Sequence, residues 1–129
     1  MALADILADH PQRETFDLVE LHRAVQACLT CALSCNACVD SDLSHDPAGM
    51  ADCIRRCLDC ADICLATATV LSRPSPSGQA WARLVATCAA ACSECADECS
   101  RHDHTCCQAC SEACRSCEQA CQQLLAAAS

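Results

Sequence analysis

Cysteine recurs through this chain in steps of three and four: Cys28, Cys31, Cys35, Cys38; Cys53, Cys57, Cys60, Cys64; Cys88, Cys92, Cys95, Cys99; and Cys107, Cys110, Cys114, Cys117, Cys121. Only Cys106 falls off the pattern. Alternating threes and fours keep one stripe on an α-helix, whereas a strand would need steps of two. The positions between are charged: Arg55, Arg56, Asp59, Asp62, Glu94, Asp97, Glu98, Glu112, Arg115 and Glu118. They define the solvent face, so the thiols are the expected core.

Three breaks separate the stripes. Asp40-Ser41-Asp42-Leu43-Ser44-His45-Asp46-Pro47 offers a helix stop and then Asp46 as N-cap, with Pro47 at the first helical position. Ser72-Arg73-Pro74-Ser75-Pro76-Ser77-Gly78 is the second break, and Ser100-Arg101-His102-Asp103-His104-Thr105 a weaker third. Helices are expected at roughly 12–40, 47–72, 77–101 and 104–126, and a short N-terminal helix over 3–9 is compatible with the pattern.

Connections this short make neighbours antiparallel, so the expected fold is all-α, an up-down-up-down four-helix bundle over residues 1–129 as one domain. The first and third stripes occupy the C-terminal halves of their helices, the second and fourth the N-terminal halves. All four therefore meet at one end. Away from that end the stripes continue as Leu18, Leu21, Val25, then Ala68, Leu71, then Trp81, Leu84, Val85, then Leu124, Leu125. The expected object is a tube, thiol-filled for about 15–20 Å at the helical rise and plugged by hydrocarbon behind.

Composition narrows the function. With 18 Cys but only 2 Gly, 4 Pro, 1 Trp, 1 Phe and no Tyr, the chain does not resemble a loop-rich secreted disulfide scaffold. The opening MALADILADH has no basic residue before its apolar stretch, carries Asp5 and Asp9, and is too short for a signal core or a membrane span. A reducing cytosol is the expected compartment. A formal charge of −9, with Lys and Arg scattered, argues against nucleic acid and suits cation capture.

Residues four apart on a helix hold their Cβ atoms about 5–6 Å apart, so two sulfurs converge on one ion without backbone distortion. The chain has C-x-x-x-C at 31/35, 53/57, 60/64, 88/92, 95/99, 106/110, 110/114 and 117/121. Soft thiolates at low coordination number select Cu(I). Charge balance agrees, because one Cu(I) per thiolate is neutral whereas four-cysteine Zn(II) sites each leave two negative charges in a dry core. A zinc or mixed-metal thiolate buffer is the alternative, and a thiol redox protein a weaker one. Iron–sulfur clusters usually take closely spaced loop cysteines, which are absent here, and intrahelical disulfides would be strained. Packing alone would favour Leu over a tube of oxidisable thiols.

At the open end lie Met50, three residues before Cys53, and His104, three before Cys107; thioether and imidazole bind Cu(I) and extend the stripes. His102 and His45 are weaker candidates, and His10 and His22 are expected at the surface. No paired base and nucleophile or positioned carboxylate suggests catalysis, so the chain does not read as an enzyme.

These stripes, the 18 thiols and the histidine-bearing end resemble the bacterial copper storage proteins, in their cytosolic branch, over nearly the whole chain. The resemblance implies storage of many Cu(I) ions, on the order of one per cysteine, held by the thiols from Cys28 to Cys121, loaded through the open end, in a homotetramer of bundles. Exported members tend to carry methionines at the mouth; here only Met50 is available. A copper chaperone or small-molecule copper ligand as delivery partner is left open. Ile54, Leu58 and Leu65 form a second apolar stripe that could cover a neighbouring helix or subunit.

Overall fold

Asp17 fixes the start of the first long helix. Its side chain accepts a hydrogen bond from the Glu20 amide at 3.0 Å, satisfying one of the free N–H groups of the first turn. The helix therefore begins at Leu18, six residues later than the spacing predicts. The preceding chain forms a short helix, α1 (Ala2–Ala8), and a single 3-10 turn at Arg13–Thr15. The structure, a computed structural model, describes residues 2–75 and 78–128. Four long helices follow α1: α2 (Leu18–His45), α3 (Ala51–Leu71), α4 (Gln79–Cys99) and α5 (Thr105–Ala128). Among the described residues there is no strand, and no helix is long and apolar enough to cross a membrane.

The helix stop expected at Asp40 does not occur. Residues 40–45 stay helical, with Ser44 Oγ donating to the Asp40 carbonyl at 3.0 Å, and α2 ends only at His45. Pro47 explains this end, because a residue before proline is pushed out of the α region, and Asp46 sits at φ −148°, ψ 83°. Asp46 then caps a single turn, not α3 itself: its carboxylate accepts from the Gly49 amide at 3.2 Å. A Cβ at Gly49 would meet that carboxylate, so a side chain there would have to displace the cap. The helix proper, α3, begins four residues later than expected, at Ala51. Gly78 precedes α4 and Ser100 ends it, so α4 is shorter than the expected 77–101; Pro76 and Ser77 of the second break lie outside the described residues.

Packing follows the predicted ring. α2 lies against α3 and α5, and α4 against the same two helices, the arrangement of an antiparallel up-down-up-down bundle. Leu21, Val25, Ala68, Leu71, Trp81, Val85 and Leu124 are buried at the plug end, with Leu18 and Leu125 packed on them partly covered. Leu7 of α1 is fully buried in the same core. Thr67, also fully buried, satisfies its hydroxyl on the Ile63 carbonyl at 2.7 Å. His10 and His22, expected at the surface, are instead half-buried.

Candidate metal centre

Each cysteine of the four stripes is buried, Cys106 is half-buried, and all 18 are free thiols. The helical rhythm places them facing one another across the bundle axis. Starting at the plug, Cys28, Cys88, Cys117 and Cys121 form a quartet of sulfurs lying within 4.8 Å of one another. Next come Cys31, Cys64, Cys92 and Cys117, then Cys31, Cys35, Cys60 and Cys114, then Cys35, Cys57, Cys95 and Cys110, then Cys38, Cys57, Cys99 and Cys110. Successive quartets share corners. The result is a continuous lattice of sulfur, unlike a set of isolated sites.

Neighbouring sulfurs in it stand 3.6–3.9 Å apart, for example Cys28–Cys117 at 3.6 Å, Cys64–Cys92 at 3.6 Å and Cys57–Cys95 at 3.7 Å. A disulfide needs about 2.05 Å. Sulfurs around one metal at about 2.3 Å are roughly 3.8 Å apart in a tetrahedron, about 4.0 Å in a triangle and about 4.6 Å in line. The lattice thus holds sulfur at metal-bridging separation with only small movements required.

The protons of the lattice are unevenly held. Hydrogen bonds from Cys117 and then Cys121 lower the Cys28 thiol to about 6. At the other end, burial and then the Asp42 carboxylate push Cys53 up to about 12, and burial together with the charges of Cys38, Cys53 and Asp42 raises Cys107. Metal binding must displace those protons, so it is coupled to pH.

The mouth contains one group that the sequence reading missed. Asp42 is completely buried, and its carboxylate accepts weak hydrogen bonds from Cys107 at 3.7 Å, Cys106 at 3.9 Å and Cys38 at 3.9 and 4.0 Å. Its signal was present: Asp42 continues the first stripe four residues after Cys38, and His45 continues it three further. The surrounding Asp and Ser, which favour helix ends locally, mask that continuation. Cys106, off the pattern, reaches the same carboxylate and stands 3.9 Å from Cys107.

The expected mouth residues separate into three cases. His104 is half-buried, with a buried Nδ1 that has no hydrogen-bond partner, and its ring meets that of His45 edge-on at 4.9 Å. Met50 is buried, 5% exposed, at the start of α3 in the same core as the thiols. His102 turns away to Glu98, Nε2 to Oε2 at 2.9 Å, while Arg101 holds the other Glu98 oxygen.

An antiparallel four-helix bundle with a core of free thiols defines a soft-metal-binding protein. Residues 18–126 match the family model described as copper storage protein, and the chain belongs to that family. It is similar to the copper storage protein Ccsp of Streptomyces lividans loaded with 10 copper equivalents: 44% identity, a TM-score of 0.91, covering 97% of this chain and 98% of that one. It is also similar to the Cu(I)-bound copper storage protein BsCsp3 of Bacillus subtilis, at 31% identity and a TM-score of 0.75, covering 82% and 98%. A further relative is the cysteine-rich protein YhjQ of Bacillus subtilis, 35% identical over 84 residues, 62% of this chain and 72% of that protein.

Proposed function

We propose that this protein stores Cu(I) in the cytosol, with the thiols of Cys28 through Cys121, Cys106 included, as ligands and a capacity on the order of one ion per cysteine. The observation that carries the reading is the corner-sharing sulfur lattice, whose spacing suits bridging thiolates and whose buried charge one Cu(I) per thiolate would neutralise. The copper-loaded Streptomyces and Bacillus relatives support the cargo, and a Streptomyces relative described as a cytosolic copper storage protein supports the compartment. The chain sequesters; it does not catalyse.

Copper passes at the mouth. Met50 and His104 extend two stripes there, and the unpartnered Nδ1 of His104 is available to a metal. Cys106 is the only thiol not fully enclosed, so a brief pulse of maleimide on the reduced protein modifies it first. The modified chain is expected to take up Cu(I) from a chelator several-fold more slowly. Uptake at the unmodified rate would move the portal elsewhere.

Copies of the bundle associate, by family resemblance as a homotetramer. Leu29 and Leu33 on α2 and Leu58 and Leu65 on α3 stay exposed, Leu33 at 72%, and supply apolar surface for a second copy. Sedimentation of the wild type against Leu33→Glu reads this directly, with a shift to smaller species expected in the variant. Equal sedimentation of the two removes that surface from the assembly.

A further inference from the structure

Among the described residues, Asp42 is the only charged side chain that is fully buried, and the copper lattice does not account for it. Its surroundings are thiols: Cys38 on its own helix α2, Cys106 and Cys107 on α5, and Cys53 on α3, whose proton the Asp42 charge holds on. Thiols are weak hydrogen-bond donors, so they replace lost water poorly. A carboxylate held this way is costly unless something else meets it.

The distances describe what would. Asp42 Oδ1 lies 3.7 Å from Cys107 Sγ, 3.9 Å from Cys106 Sγ and 4.0 Å from Cys38 Sγ. Cys107 Sγ stands 3.9 Å from each of the other two sulfurs. Five edges of a tetrahedron are therefore drawn at 3.7–4.0 Å. Three sulfurs at about 2.3 Å and one oxygen at about 2.0–2.2 Å around a single ion have edges of roughly 3.5–3.8 Å. A contraction of a few tenths of an ångström brings those five edges to ligand separation around one ion.

The donor set is what distinguishes it from the all-sulfur quartets behind. A carboxylate oxygen is a hard ligand, which Cu(I) does not select and a Zn(II)-class ion accepts readily. Solvation points the same way. A divalent ion on four thiolates leaves two negative charges, which the fully buried quartets cannot screen; at the rim the half-buried Cys106 opens the same residual charge to water.

The geometry points to a divalent-metal site of the Zn(II) class at the mouth of the tube, built from Asp42, Cys38, Cys106 and Cys107. This site deepens the storage reading and rests on it for its role: an ion there lies between solvent and the inner quartets, so incoming Cu(I) has to displace it. The rim would then answer to divalent metal while the interior answers to copper.

The test is zinc K-edge absorption on the reduced, metal-free full chain given one equivalent of Zn(II) without oxygen. One oxygen shell at about 2.0–2.2 Å and three sulfurs at about 2.3 Å are expected. Asp42→Asn, which keeps the shape and removes the charge, should weaken that first Zn(II) by at least the roughly 10–100-fold that loss of even an outer-shell partner costs. A first Zn(II) bound by four sulfurs, or held equally by the Asp42→Asn chain, overturns the rim site. Cu(I) capacity of the wild type, measured in parallel, reports on storage alone. Four sulfurs on zinc with about one Cu(I) per cysteine removes the rim site and leaves the store standing; three sulfurs and an oxygen with a capacity far below that does the reverse.

Discussion

The two halves of the bundle use the same four helices and the same rhythm of threes and fours, yet they are filled with opposite chemistry. The plug half buries Leu21, Leu71, Val85, Trp81 and Leu124, with Leu7 of α1 beside them; the other half buries thiols. Burying a Leu side chain contributes about 1.5–3 kcal/mol, and a Cys side chain is a smaller hydrophobe that contributes less. Pattern therefore sets the fold, while residue identity sets which half holds it together. The plug is expected to stabilise the metal-free chain, and copper to stabilise the thiol half.

The largest effect should come from the metal. Occupying one site at a thousand times its dissociation constant stabilises a protein by about 4 kcal/mol, so filling several sites should raise the thermal midpoint by well over ~10 °C. A chelator that strips copper should return the midpoint to its starting value. An unchanged midpoint would mean that copper binds outside the core.

Next comes a pair of truncations that sets one half against the other. Leu21→Ala should destabilise the metal-free protein by about 2–5 kcal/mol in denaturant unfolding and leave copper capacity intact. Cys60→Ala should cost roughly 1 kcal/mol or less in the same assay, since one small group is removed, and should lower capacity. The reverse ranking would break the division of labour. Asp17→Ala, which removes the N-cap of α2 at the plug end, should cost about 0.5–2 kcal/mol without touching copper binding.

The smallest effect is the dependence on pH. Burial and the Asp42 charge raise Cys53 from 9.0 to about 12, and burial raises Cys107. The folded state thus keeps protons that the unfolded chain releases, so their contribution is complete below pH 9.0 and is lost as pH climbs toward 12. Metal-free protein should soften progressively above pH 9, read as a falling thermal midpoint, whereas copper-loaded protein, whose thiols are already deprotonated, should not share that decline.

The plug and the buried stripes were legible because period and burial are the same statement on a helix. The mouth was legible only in part. Asp42 and His45 carry the first stripe on by four and then three residues, but they sit in a run of Asp and Ser whose local preference is to end helices. Contact with Cys38, Cys106 and Cys107 outweighed that preference, and no local rule contains those contacts. Likewise Asp46 and Pro47 did mark a boundary, yet the capped segment is one turn before α3 begins at Ala51. Cys106 broke the rhythm in sequence and joined the cluster in space.

One measurement bears most directly on the division between a hydrocarbon plug and a metal-filled half. Reduced protein is titrated with Cu(I) without oxygen, against a competing chelator, and copper is counted per chain. Saturation near one Cu(I) for each of the 18 cysteines is expected. Weak retention of Cu(I), with saturation instead near four Zn(II), would contradict it.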